Sequence, residues 1–103
     1  MRKYKVVFRP RAAQDLVDLF WNINEQAGPD IAGAYVARIE AACSMLSVFP
    51  RRGTQRNDLA QGMRVVGFER RAVIAFRVEG SQVRIIRVFY GGQDYERILR
   101  RDS

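Results

Sequence analysis

Apolar residues follow two different periods along this chain, and the change from one to the other falls near its middle. From Arg11 to about Gln26, Leu16, Phe20, Ile23 and Ala27 recur at three- and four-residue spacing, the period of one helix face, and Gly28 supplies a stop. Pro29 and Asp30 suit the first turn of a second helix, whose apolar stripe runs Ala32, Tyr35, Val36, Ile39, Ala42, Cys43 and Leu46. Phe49-Pro50 ends that helix, and RRGTQRNDLAQG has the Gly, Asn and Asp of a loop. The period then shortens. Met63 to Phe68, Ala72 to Val78 and Gln82 to Tyr90 predict three successive strands, the last two joined by a turn around Glu79-Gly80. A further strand, Tyr4 to Phe8, precedes the first helix and is closed by Pro10.

The predicted order is β-α-α-β-β-β with a tail from Asp94 to Arg100. It specifies an α+β fold in which a helical hairpin packs on one face of an antiparallel sheet. At 103 residues the chain has room for one domain, and it contains no internal repeat or linker. The sheet's other face is also partly apolar. On the third strand Ile74, Phe76 and Val78 suit the core and leave Val73, Ala75 and Arg77 opposite; on the fourth, Ile86 and Val88 oppose Ile85 and Phe89. A helical hairpin covers only one face, so the surplus is expected to be covered by a protein partner or a second copy, the alternative being the chain's own loops and tail. The first helix adds a second stripe, Ala13, Val17 and Trp21, wide enough either for helix-on-helix packing or for a partner groove.

Composition narrows the chemistry. Hydrophobic residues make up 48% and charged residues 28%, as in ordinary globular proteins. No apolar run approaches the roughly 20 residues of a membrane span, and the Met-Arg-Lys start leads into a strand pattern, so a cytoplasmic location is expected. Cys43 falls on a helical apolar stripe and reads as core. There is no histidine, which removes Ser-His and Cys-His catalysis and His-containing zinc sites. Any acid or base must be Asp, Glu, Tyr or Lys. The net charge of +7 is uneven: residues 50 to 103 carry twelve basic side chains, all arginine, against six acidic ones. Arginine suits bidentate recognition of carboxylate or phosphate, so an acidic partner is expected, either nucleic acid or a negative protein segment. A merely solubilising surface is the alternative. Gly91-Gly92 reads as a turn, with no phosphate-binding motif around it, and Asp94 as the cap of a tail helix.

The opening YKVVFRPRAAQDL and the stretch RVEGSQVRIIRVFYGGQDYERIL, from Arg77 to Leu99, together resemble the RelE/ParE superfamily of small bacterial toxins, the ParE branch in particular. The resemblance implies the toxin of a type II toxin-antitoxin system, neutralised in a hetero-oligomer by a ParD-like antitoxin with an acidic, amphipathic C-terminal segment. It implies that operator DNA is reached only through the antitoxin, with no cofactor, metal or membrane involved. RelE-type members resemble ribosome-dependent messenger ribonucleases, whereas the ParE branch is associated with poisoning DNA gyrase. Arg64 matches a basic site of the nucleases, but Val73 and Gln93 stand where two arginines are expected, and Ile98 or Leu99 where a tyrosine is. ParE-like chains often have histidine at the position of Tyr90. Binding to gyrase is therefore favoured. The alternatives are a RelE-like ribonuclease and a low-potency toxin serving as corepressor with its antitoxin. On this reading Val17, Trp21, Arg77 and Arg87 face the antitoxin, and Arg64, Arg70 and Tyr90 face the target. Arg77 and Arg87, on apolar strands, should be paired with carboxylates, either Asp or Glu within the chain or acidic residues of the antitoxin, and Arg64 should be more exposed.

Overall fold

Gly28 allows two helices to follow each other with almost no loop. In a computed structural model describing residues 3–102, its φ of 90° is one that only glycine adopts freely, and its N–H closes the first helix on the Asn24 carbonyl. Pro29 then occupies the first turn of the next helix, where a missing N–H costs nothing. The elements run β1 (Lys5–Phe8), α1 (Pro10–Ala27), α2 (Pro29–Met45), β2 (Thr54–Gln55), β3 (Met63–Phe68), β4 (Ala72–Glu79), β5 (Gln82–Tyr90) and α3 (Tyr95–Asp102).

The strands form one sheet in the order β1-β5-β4-β3-β2. The α+β arrangement and the hairpin on one face are as the sequence predicts, but the sheet is mixed. β1 lies parallel to β5, and the other pairs are antiparallel. The first and last strands are separated by every other strand and both long helices, so no tight turn forces them antiparallel. The short β2 arises inside the expected loop. Gly53 precedes it at φ 76°, and a Cβ there would stand 2.2 Å from the Val65 carbonyl oxygen, so β2 can approach β3 only with glycine at this position.

Beneath the hairpin, Ala12, Leu16, Leu19 and Ile23 of α1 and Ala32, Tyr35, Ile39 and Cys43 of α2 meet Ala72, Ile74, Phe76, Val83, Ile85 and Val88 of the sheet. Cys43 is core as expected, and burial pushes its thiol up to about 12. The faces of β5 do not alternate as expected. Ala75 of β4 pairs with Arg87 but Phe76 pairs with Ile85, leaving Ile86 as an extra residue. This bulge turns Ile85 and Val88 to the same side and Ile86 and Phe89 to the other.

The sheet's second face is closed by the chain itself. Leu59 from the loop and Leu99 from α3 bury Met63, Val65, Ala75 and Phe89. Arg56 ties these coverings together, donating to Asp58 at 2.8 and 2.9 Å and to Glu96 of α3. Asp94 accepts the Arg97 N–H at 3.2 Å and so caps α3 as read. The expected surplus of open apolar sheet is therefore absent from most of this face, because Leu59 and Leu99 lie in segments that look polar as a whole.

Candidate partner interface

Helix α1 presents more apolar surface than α2 and the sheet can cover. Its second stripe, Ala13, Val17 and Trp21, joins Leu16, Phe20, Phe8 of β1 and Val36 of α2 around a groove of about 580 Å³, with Glu40 at its margin. Val17 is 49% and Trp21 58% exposed, so helix-on-helix packing does not account for them. Phe20 is half-buried and meets the Trp21 ring edge-on at 5.1 Å, which fixes the indole over the groove.

Arg77 and Arg87 lie elsewhere, beside a second groove that also involves Arg9, Arg11, Met63, Ile86 and Leu99. Arg87 is 5% exposed and its Nε and Nη2 donate to the two oxygens of Asp15 at 2.8 and 3.2 Å. Asp15 Oδ2 also accepts the Val88 N–H at 2.9 Å. The cause is the early end of β1. Its last pairing is Phe8 with Ile85, after which β5 has an unpaired edge that the Asp15 carboxylate serves. Arg87 thus has the carboxylate expected of it. Arg77 has no such carboxylate within the chain: among the described residues it makes no ion pair, and its Nε is buried without a hydrogen-bond partner. It is paired in register with Met63 and Arg84, and the nearby Glu79 is taken by Arg84 at 2.9 Å.

The three residues expected to face a target do not converge. Arg70, exposed, and Tyr90, half-buried, share the end of the sheet where Ala72 pairs with both Phe68 and Tyr90. Arg64 is half-buried on β3 opposite Gln55 and Phe76, four positions from Phe68 and so about 13 Å away. The turn carrying Arg70 is unusual in holding two non-glycine residues at positive φ, Glu69 at 50° and Arg70 at 61°. Arg38 of α2 holds Glu69 there by two hydrogen bonds of 2.9 and 3.1 Å, which keep that carboxyl below its ordinary range. Tyr90 packs against Tyr35 at 5.6 Å. Among the described residues, no three His, Cys, Asp or Glu side chains are grouped as metal ligands would be.

The family model of the ParE toxin of the type II toxin-antitoxin system parDE matches residues 6–95. The chain belongs to this family. Toxin ParE3 of Caulobacter vibrioides is 36% identical over 77 residues, covering 75% of this chain and 76% of that toxin. Among solved structures, the chromosomal ParDE system from P. aeruginosa superposes with a TM-score of 0.77 at 22% identity, over 88% of this chain and 99% of that one. The RelBE2 toxin-antitoxin complex from Mycobacterium tuberculosis gives 0.57 at 23% identity, over 85% and 98%. These two likenesses establish a shared fold.

In this ParE-family toxin the positions where the ribonuclease branch would carry cations or a phenol serve packing or turn geometry. Val73 and Ile98 pack on the second-face core and Leu99 is 1% exposed within it. Gln93 Oε1 accepts the Tyr90 N–H at 2.9 Å and closes the turn after β5. Sequence reasoning passed over Asp15, Arg9 and Arg11. For the arginines a signal existed: both flank Pro10 at the start of a helix, where acidic residues are the favoured kind. For Asp15 it was a carboxylate between the buried Ala12 and Leu16.

Proposed function

We propose that this ParE-family toxin is held inactive by a ParD-like antitoxin whose acidic, amphipathic segment seats its apolar side in the α1–α2 groove. Once free, the toxin acts in the cytoplasm by binding and poisoning DNA gyrase, and it reaches operator DNA only through the antitoxin. The observation that carries the antitoxin reading is the exposure of the large apolar side chains of Val17 and Trp21 beside an apolar groove, next to the buried face of α1. Such a groove suits an amphipathic helix, and a partly exposed tryptophan is the kind of residue that anchors one. Binding to a target, not RNA cleavage, is supported by the use of Val73, Gln93 and Leu99 for structure. Phosphoryl transfer recruits cations and acid-base groups at such places, and losing one of them costs about a hundredfold or more.

The deciding experiment adds purified toxin to gyrase, DNA and ATP, and separately to translating ribosomes. Inhibited supercoiling or trapped cleaved DNA, with intact messenger RNA, is expected. Efficient ribosome-dependent cleavage without an effect on gyrase overturns the reading.

A further inference from the structure

At the start of α1, Arg9 and Arg11 flank Pro10 and stand with Arg77 and Arg87 around a groove of about 390 Å³ that also involves Met63, Ile86 and Leu99. Among the described residues Asp15 is the carboxylate at this place, and it is already engaged by Arg87 and the Val88 N–H, with Arg11 Nε at 3.7 Å. One carboxylate, Asp15, is thus shared by Arg87 and Arg11, and among the described residues Arg9 and Arg77 make no ion pair. The first turn of α1 holds no acidic residue and its start no side-chain cap, so the positive end of the helix adds to the same field. Arg77 is the centre of the difficulty. Its Nε is buried without a partner, and its cross-strand neighbour is another arginine, Arg84. Folding alone gains nothing from this arrangement, since like charges placed opposite each other and unpaired buried donors both destabilise.

We propose that this groove binds the carboxylate side chains of an acidic peptide segment with interspersed apolar residues, supplied by a protein partner, with Arg77 as the anchor and Arg9 and Arg11 at the rim. The guanidinium fork matches a carboxylate in the manner that Arg87 already shows with Asp15. Met63, Ile86 and Leu99 suit the apolar residues beside it. Among the described residues no aromatic side chain lines the groove, which disfavours single-stranded nucleic acid, whose bases need stacking surfaces. Chain continuity favours the antitoxin as the source. Phe8 and Ala13 line the apolar groove while Arg9 and Arg11 line this one, so a single segment can pass from one to the other around the start of α1. In that respect the inference rests on the antitoxin reading, and it adds a second, charge-recognising subsite.

The test titrates the full-length toxin into a fluorescent peptide of alternating Glu and Leu at low salt, beside a Lys-Leu peptide and a single-stranded oligonucleotide. The Glu-Leu peptide is expected to bind, and Arg77→Leu and the double variant Arg9→Gln/Arg11→Gln to weaken it about tenfold or more. Arg52→Gln, which removes one charge from an exposed arginine outside both grooves, should leave that affinity unchanged, and because the peptide assay reads Arg77 whereas antitoxin binding reads Trp21, failure of the apolar-groove reading would not mimic failure of this one. Arg77→Leu should also raise the melting temperature, because it removes a buried unpartnered donor; a purely structural arginine would behave oppositely. Arg77→Lys, which keeps the charge and loses the fork, should fold normally and still bind several-fold more weakly. The proposal is overturned by peptide affinity indifferent to Arg77, by tighter binding of the oligonucleotide, or by a lower melting temperature for Arg77→Leu.

Discussion

Asp15 and Arg87, 72 residues apart in sequence, meet where β1 gives out, and the carboxylate takes over the hydrogen bonding that a longer β1 would have given to β5. One side chain of α1 thereby fixes the helix to the sheet edge, satisfies the Val88 N–H and neutralises a guanidinium that is 5% exposed. A buried ion pair of this kind adds little net stability compared with an apolar pair of the same shape, yet breaking it leaves a charge stranded.

Asp15→Ala should therefore destabilise the fold by about 3–5 kcal/mol, measured by urea unfolding. Arg87→Met should cost less than Arg87→Ala, since it preserves packing against the Phe89 ring, 4.9 Å from the guanidinium. The double variant Asp15→Ala/Arg87→Met should be less destabilised than the sum of its parts. Additive losses would show that the two groups do not act as a unit.

Much of the fold is legible in the sequence because its boundaries are written in local chemistry. Gly28-Pro29 separates the helices, and the bounds of β3 and β5 follow from alternation and turn residues. What escapes is non-local. The bulge at Ile86 is hidden because Ile85 and Ile86 are equally apolar, so either can occupy the core side. Leu59 and Leu99 close the second face from segments whose overall polarity reads as loop and tail. The exposed stripe of Val17 and Trp21 was visible through helical period. The arginine groove was not, since Arg9, Arg11 and Arg77 come together only when β1, α1 and β4 are assembled.

Trp21→Ala should reduce antitoxin affinity by on the order of 2 kcal/mol if the indole anchors the bound segment. Because Trp21 is 58% exposed, the melting temperature of the free toxin should hardly move. Isothermal titration with the full antitoxin checks the first point and a thermal melt the second. Unchanged affinity would remove the α1–α2 groove from the interface.

Acid should loosen the covering of the second face. Hydrogen bonding from Arg56 lowers the Asp58 carboxyl from 3.8 to about 2. Since the folded-state value lies below the ordinary one, the stabilisation is present above about pH 4 and is lost as pH falls through about 2. A carboxyl-carbon NMR titration should place Asp58 near 2, and Arg56→Gln should return it towards 3.8. The same variant should increase hydrogen exchange in α3, because Arg56 also holds Glu96. An Asp58 midpoint unmoved by Arg56→Gln would break this link.

The turn from Phe68 to Arg71 should expose a conflict between stability and activity. Arg71 N–H reaches the Phe68 carbonyl at 3.1 Å, and both central residues sit at positive φ, a geometry that favours Asn-Gly over Glu-Arg. Glu69 has a structural reason to be there in its pair with Arg38, whereas Arg70 is exposed and makes no ion pair among the described residues. The left-handed conformation costs an ordinary residue roughly 1–2 kcal/mol, so Arg70→Gly should stabilise the fold by about 1 kcal/mol. If Arg70 faces the target, the same substitution should restore growth to cells expressing the toxin and, where the proposed gyrase target holds, weaken gyrase inhibition. A more stable variant of undiminished toxicity would take Arg70 out of the target surface; a less stable one would show that the strain is offset by contacts of the arginine itself.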